Sequence, residues 1–517
     1  MTRKPGTVNK HAKAGNLNNA LSQTDGELIV VMDSDFVPFK NFLTRTVGFF
    51  QQQNVAIVQT PQDFYNPDHH VRNLGISHLF PNDLAHFFRH SQSTRDTANA
   101  AMCCGTSYVM RRSALESIGG YFTRCVSEDS STSTLLLTRG WRVVYLNETL
   151  SMGESTRKYT DFLKQRLRWL QGNMQIFYCT KEVPIWSKLN WIQKSFMVTH
   201  LLGNFGPLMR AICLILPLAS LYLGVSPILS TSEEILYYAV PFLVLIMGTT
   251  AWGSDYNASH FYNELQDTIL CFPSVQRLVS TLRSPFGKGF AVTPKGETAE
   301  RKNYNLQYTW PLLVLMALTV NIICLHVVGY RMGVWQVLTS PDFGIVFFWL
   351  IYNFIIMGLA VLAAIDQPER RLLDRFPLRT ACKVICGERA YWGHTNDVSE
   401  GGTAITLITE DSIPRHSSIV MEFLQHGFSV EAEVVKSRLH AQDASVSLKF
   451  TSLTAEQSRT IIEMLYTELT WWKRSRRIGS IDSFLAILSS FLQLKPVLTV
   501  YDRKSSRRRR SKVTSLN

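Results

Sequence analysis

The apolar positions of this chain fall into three patterns. In the first, short unbroken apolar runs end in polar loops. Glu27-Leu28-Ile29-Val30-Val31-Met32 ends at Asp33, and Val55-Ala56-Ile57-Val58 leads into Gln59-Thr60-Pro61. Trp141-Arg142-Val143-Val144-Tyr145 is a third run. Such runs predict buried parallel strands, and open α/β sheets bind ligands at the polar ends of their strands. Residues up to about Tyr178 are therefore expected to form a soluble α/β domain.

The second pattern is long and apolar throughout. It predicts four membrane spans, roughly Phe196 to Leu223, Ile235 to Trp252, Trp310 to Val328 and Phe343 to Ala364. Asn204 and Arg210 interrupt the first. They either snorkel or pair between helices, or they mark a path for a polar substrate. His260 to Leu282 mixes apolar and polar positions and reads as an amphipathic helix on the membrane surface. Leu229 to Glu234 has no Lys or Arg and Tyr330 to Asp342 has only Arg331, whereas Arg283, Lys288, Lys295, Arg301 and Lys302 crowd the middle loop. The positive-inside rule puts that loop and both soluble ends in the cytosol, and an even number of spans satisfies this.

From about Gln367 the period changes to two. Val430-Glu431-Ala432-Glu433-Val434 and Val446-Ser447-Leu448-Lys449-Phe450 alternate, which predicts half-buried antiparallel strands. Gly401-Gly402 marks a tight turn, and a small β-barrel of about 100 residues fits the pattern. Ala455 to Arg474 reads as a helix, and Ser483 to Leu492 as a short amphipathic one. The expected units are residues 1–180, a membrane region 181–366 with a cytosolic loop 256–302, a barrel domain 367–475, and a last helix and basic tail 476–517.

Composition refines this picture in a few places. The chain has 517 residues, 18% of them charged, and a formal net charge of +13. Much of the excess comes late, in Arg507-Arg508-Arg509-Arg510, which reads as a basic end near an anionic lipid surface. No nucleic-acid recognition motif accompanies the charge, so nucleic acid is not an expected partner. The nine cysteines lack disulfide-like or zinc-like spacing and read as reduced packing residues. No signal peptide is expected from the polar stretch Thr2 to Asn9.

Candidate chemistry sits around the first pattern. Asp33 and Asp35 follow a strand, so both carboxylates can converge on Mg²⁺ or Mn²⁺ and leave positions open for diphosphate oxygens. Taken alone, an Asp-x-Asp is more often an Asx-turn or helix cap; its place at a strand end favours the metal. Glu128-Asp129 opens a helix at Ser130 to Leu137, where acids favour the helix dipole or supply a general base for a sugar hydroxyl. Gln165-Arg166-Leu167-Arg168-Trp169 puts an amide, two guanidiniums and an indole on about one helical turn. Arginines pair with phosphates, and a Trp face suits the C–H side of a pyranose, although the same stretch can anchor a helix at a membrane interface. Phe290-Ala291-Val292-Thr293-Pro294-Lys295-Gly296 can fold over phosphates as a lid or be an ordinary loop. Arg371 and Arg375 can clamp a phosphate or a guanine edge, or simply form a basic linker beside the membrane.

Taken together, these residues resemble the catalytic subunits of bacterial cellulose synthases, which are processive family-2 glycosyltransferases. The resemblance covers nearly the whole chain. Lys13-Ala14-Gly15-Asn16-Leu17-Asn18 looks like that family's donor-binding segment, and Asp33 and Asp35 match its Asp-x-Asp. Gln59-Thr60-Pro61, Cys104-Gly105-Thr106 and Arg111-Arg112 fall where the family has similar segments. Ser127-Glu128-Asp129 matches Thr-Glu-Asp, and Gln165, Arg168 and Trp169 match Gln-x-x-Arg-Trp. Phe290, Val292, Thr293 and Lys295 match the gating loop; Arg371, Arg375, Asp397, Ser399 and Gly402 match the PilZ signature for cyclic di-GMP.

The resemblance implies a partial GT-A-like transferase domain, four transmembrane helices and a C-terminal PilZ barrel. It implies Asp129 as base, Asp33 and Asp35 on the metal, and Lys13, Asn16, Asp33, Gln165 and Arg168 on the donor. Trp169 and Glu128 would meet the acceptor. The implied reaction polymerises UDP-glucose into β-1,4-glucan at the inner membrane, under cyclic di-GMP, beside a periplasmic or membrane-anchored accessory subunit. Ser127 replaces Thr and keeps the hydroxyl. The resemblance starts at about Asn9, so the family's earlier spans and first strands, with an Asp that grips uridine, have no counterpart in this sequence. The expected alternatives are a non-catalytic cyclic-di-GMP-binding membrane protein and a synthase of another β-glucan such as curdlan. The PilZ signature disfavours a chitin or hyaluronan synthase.

Overall fold

The computed structural model describes residues 11–77, 79–80, 82–225, 231–253, 259–287, 301–332, 343–368, 373–409, 411, 413–439, 443–467 and 480–498. The gating-loop residues Phe290, Val292, Thr293 and Lys295, the first PilZ arginine Arg371 and the Arg507–Arg510 run lie outside the described residues.

All three apolar runs of the first region form strands, Leu28–Val31, Val55–Gln59 and Arg142–Tyr145. A fourth strand, Tyr108–Arg111, enters between the first two, and the sheet order is Leu28–Val31, Tyr108–Arg111, Val55–Gln59, Arg142–Tyr145. Within this sheet, among the described residues, only Val55–Gln59 and Arg142–Tyr145 run parallel. Leu28–Val31 corrects the expectation of a buried parallel strand, because it pairs antiparallel with Tyr108–Arg111 and leaves Val30 44% exposed. Tyr108–Arg111 is fully buried but ends in a charge, which hides it as a strand signal. Arg111 satisfies that charge on backbone oxygens, donating to Val55 O at 3.1 Å and Phe50 O at 2.5 Å.

Among the described residues, four helices are long and apolar enough to cross a membrane: Gly206–Leu223, Glu233–Gly253, Leu306–Arg331 and Gly344–Ala363. The first is shorter than expected. Trp191–Gly203 is a separate helix, and the chain breaks at Asn204-Phe205 before Gly206-Pro207 restarts it. Proline has no N–H to continue a helix but fits the first turn of a new one. Asn204 Nδ2 donates back to His200 O at 3.2 Å. Arg210 pairs between helices, with Nε on Thr268 Oγ1 at 2.8 Å and a terminal nitrogen 3.2 Å from Glu264 Oε1. Both partners belong to His260–Arg283, the expected amphipathic helix, which buries Tyr262, Leu265, Ile269 and Leu278.

The second soluble unit is a closed six-stranded barrel, as the alternation predicts. Val430, Ala432, Val434, Val446, Leu448 and Phe450 all point into its core. The helix after it is Ala455–Tyr466, opened by a Thr454–Gln457 capping box. It meets the first domain through mutually edge-on rings of Tyr65, Phe376 and Tyr466. Arg157 adds an ion pair to Asp374 at 2.5 Å.

Asp366 knots the regions together and is 2% exposed. Its carboxylate accepts the Tyr159 N–H at 2.9 Å, at the start of helix Tyr159–Gln175, and Asn305 Nδ2 at 2.9 Å, at the start of the apolar helix Leu306–Arg331. A carboxylate at a helix N-terminus also meets the positive end of the dipole.

Candidate active site

The site gathers at the polar ends of the sheet. Helix Ala12–Leu21 brings Lys13 to the loop after Leu28–Val31, where its ammonium donates to Asp33 Oδ1 and to Gly105 O, each at 2.5 Å. Burial works against the charged ammonium. The charge and hydrogen bond of Asp33, with Glu128 and Asp129 adding, outweigh it and raise the Lys13 pKa. Asn16 is exposed one turn further along the same helix.

The loop 103–107 is pinned from the neighbouring strand. Gln59 Nε2 donates to Thr106 O at 2.9 Å, and its Oε1 accepts the Cys104 N–H at 2.9 Å. Thr106 Oγ1 accepts the Asp33 N–H at 2.8 Å. Gly105 has φ +87, and a Cβ there would sit 2.7 Å from Asp129 Oδ2, so glycine is needed for both conformation and space.

Helix Glu128–Thr138 places both acids in its first turn. The dipole reading and the general-base reading therefore coexist. Ser130 N–H donates to Asp129 Oδ1 at 2.7 Å. Burial raises the Asp129 pKa, opposed by that N–H, Lys13 and Arg168. Burial and then Asp129 push Glu128 up to about 7. Arg168 is lowered by burial, against the pull of Asp129, Glu128 and Asp33. Two cations thus face three carboxylates in a partly dry site, which suits a base that must hold its charge lightly.

Gln165, Arg168 and Trp169 lie at i, i+3 and i+4 of helix Tyr159–Gln175 and share its half-buried face. That helix approaches the acids closely at Gly172, which lies against Ser127. Further along it, Gln175 Oε1 accepts the Val126 N–H and Nε2 donates to Pro285 O, both at 2.8 Å. One buried amide therefore joins the segment before Glu128 to the root of the loop that begins at Ser284.

Among the described residues no cluster of three or more His, Cys, Asp or Glu could hold a metal ion. Two carboxylates are still enough for a hard cation that arrives with a diphosphate and keeps waters. Asp33 fits that role, with a 40% exposed side chain at a strand end, although Lys13 already occupies one of its oxygens.

In the barrel, Arg375 donates to Asp397 Oδ1 at 2.8 Å. Ser399 Oγ donates to Gly402 O at 2.8 Å, and a Cβ on Gly402 would come within 2.3 Å of Leu448 O. Arg375, Asp397, Ser399 and Gly402 therefore share one edge of the barrel.

Sequence reasoning gave no individual role to Gln59, Asp83 or Gly172, and offered Arg166 only as one of two arginines that could pair with phosphate. Gln59 had the signal of a polar residue closing an apolar run; Asp83 and Gly172 show only through long-range contacts, and Arg166 through its pair with Asp83.

Glu128 gives a pH-dependent expectation. Folding raises its pKa, so the folded chain binds that proton more tightly than the unfolded one. Stability falls as pH rises from the ordinary glutamate range through about 7, and is level above it. Glu128→Gln is expected to stabilise the fold by roughly 1–3 kcal/mol at pH 8, read as a higher melting temperature, with little gain at pH 5. Thermal melts across that range check this, and an equal gain at both ends would refute it.

Residues 28–253 match the family described as Glycosyl transferase family group 2, and residues 369–467 match the PilZ domain. The chain is 31% identical over 490 residues to a cellulose synthase catalytic subunit [UDP-forming] of Pseudomonas fluorescens SBW25, covering 93% of this chain and 64% of that protein. It is 28% identical to cellulose synthase 2 of Novacetimonas hansenii, covering 93% of this chain and 30% of that one. The cellulose synthase 1 catalytic subunit [UDP-forming] of Komagataeibacter xylinus is 26% identical, with 96% and 67% covered. The chain thus spans less than two thirds of the length of the first two relatives. It carries a glycosyl transferase family 2 domain followed by a C-terminal PilZ domain, and it is similar over 93% of its length to bacterial cellulose synthase catalytic subunits.

Proposed function

We propose that this chain transfers glucose from UDP-glucose to the end of a growing β-1,4-glucan, moves the product across the inner membrane, and is activated by cyclic di-GMP. The observation that carries this reading is the gathering of Asp129 and Lys13 around Gly105, within electrostatic reach of Arg168 on the helix that presents Trp169. Asp129 takes the proton from the acceptor 4-hydroxyl. The oxygen bonds to the anomeric carbon as the bond from that carbon to the diphosphate breaks, inverting the centre and releasing UDP. Lys13, Gln165 and Arg168 receive the diphosphate, Asn16 supports the donor, and Glu128 and Trp169 hold the acceptor sugar. Asp33 and Asp35 would hold Mg²⁺ or Mn²⁺, which supplies charge stabilisation on the leaving diphosphate.

The four apolar helices and the basic middle loop support a multi-pass protein with its soluble domains in the cytosol; the accessory subunit is proposed from the resemblance alone. Phe290, Val292, Thr293 and Lys295 form the gate that cyclic di-GMP frees. Arg371, Arg375, Asp397, Ser399 and Gly402 bind that nucleotide. Arg375→Ala and Arg371→Ala are each expected to weaken it by about tenfold or more in calorimetry, because guanidinium–phosphate pairs are strong and geometric. Unchanged affinity in both would refute the assignment.

The decisive assay places the purified chain in lipid nanodiscs with UDP-glucose, Mg²⁺ and cyclic di-GMP. It reads UDP release and cellulase-sensitive polymer. Binding of cyclic di-GMP with no polymer would overturn the catalytic reading, and linkage analysis separates β-1,4-glucan from curdlan.

A further inference from the structure

Arg166 lies between two residues of the site yet points elsewhere. Its guanidinium carbon sits 4.6 Å from the ring centroid of Trp169 and 5.0 Å from that of Phe162. These residues are three ahead and four behind on the same helix, so the cation lies along one helical face. An Asp83 carboxylate oxygen contacts Arg166 Nη2, and the two side chains are 6% and 19% exposed. Arg166 Nε is buried with no hydrogen-bond partner, so the ion pair and the ring faces hold the group.

Asp83 is itself fixed. Its N–H donates to Asp68 Oδ2 at 2.7 Å, and Asn82 Nδ2 donates to Asp68 Oδ1 at 2.7 Å. Ser155 Oγ, from the segment just before the Trp169 helix, donates to the same oxygen at 2.7 Å. A chain of polar contacts therefore runs from Asp68 through the 82–83 turn to Asp83, to Arg166 and onto the indole of Trp169.

We propose that Asp83 and Arg166 are positioning residues for the acceptor sugar. A half-buried indole on a helix can occupy several rotamers. A guanidinium clamped over one of its faces selects one of them and leaves the opposite face to the pyranose. This rests on the reading of Trp169 as the acceptor platform. The contacts that hold Arg166 and Asp83 run to Trp169, Phe162 and Asp68, whereas on the donor side Lys13 meets Asp33 and Gly105.

The test titrates the full chain in nanodiscs with cellotetraose, read by tryptophan fluorescence, and separately with UDP. Asp83→Asn and Arg166→Met are expected to weaken cellotetraose by about tenfold while UDP affinity stays within twofold. Arg166→Lys, which keeps the charge, should recover part of the loss. If Arg166→Met fails to fold because it strands the Asp83 charge, the Asp83→Asn/Arg166→Met pair removes both charges and carries the same expectation. Cellotetraose binding within twofold of the parent in these variants, with Trp169→Phe still losing it, overturns the proposal and leaves the platform standing. If cellotetraose gives no saturable signal that Trp169→Phe removes, the platform reading fails and this proposal falls with it.

Discussion

Asp129→Asn is expected to abolish glucan synthesis, lowering the rate by about 10²–10⁴-fold, the usual worth of a positioned general base. The substitution is nearly isosteric. The side-chain oxygen still accepts the Ser130 N–H, so the first turn of helix Glu128–Thr138 keeps its geometry. The proton acceptor is lost. Lys13 and Arg168 remain, with one opposing charge fewer, so UDP-glucose is expected to bind as well or slightly better. Burial already disfavours the charged form of Asp129, so the variant should melt no lower than the parent. Single-turnover synthesis, UDP-glucose affinity and a thermal melt on the same preparation check this. A rate within threefold of the parent removes Asp129 from the mechanism.

Gly172→Ala is expected to cost about 10²-fold in rate, through geometry and not chemistry. Alanine in a helix interior normally stabilises by about 1 kcal/mol relative to glycine. Here a Cβ would lie 1.9 Å from Ser127 Oγ, 2.6 Å from its Cβ and 2.9 Å from its backbone nitrogen. The backbone atom cannot swing away, so the helix carrying Gln165, Arg168 and Trp169 must back off from Glu128 and Asp129. A displacement of about 1 Å between base and acceptor is enough for that loss. Ser127→Gly removes two of the three clashing atoms, so the double variant should recover part of the rate, a coupling expected only of residues in contact. Gly248→Ala is the control, since nothing lies within 4 Å of the Cβ it would add. A Gly172→Ala enzyme as fast as that control would refute the close approach.

Much of the architecture was readable from side-chain period. Unbroken apolar runs marked Leu28–Val31, Val55–Gln59 and Arg142–Tyr145, and alternation marked the barrel strands around Val430 and Val446. Length and apolarity marked four membrane-type helices. Strand Tyr108–Arg111 escaped because its buried Arg111 satisfies its charge on backbone oxygens of another segment. The break at Asn204-Phe205 escaped because a window of apolar residues reports burial, not helix continuity. For the site, the motifs named Lys13, Asp33, Glu128, Asp129, Gln165, Arg168 and Trp169. The ion pair of Lys13 with Asp33 and that of Arg166 with Asp83 carried no local signal.

By itself, the sequence determined most of the segments that are strands, helices or apolar spans, and which residue types are available for chemistry, because backbone period is a local property of the chain. The tertiary structure decided which of those residues face one another. It set Leu28–Val31 against Tyr108–Arg111, brought Lys13 to Asp33, let Gly172 press on Ser127, and laid Arg166 over Trp169. Apart from that last pair, one helical turn apart, these contacts join positions 20 to 83 residues apart. Burial, charge and close packing select them only once the whole chain has closed around them.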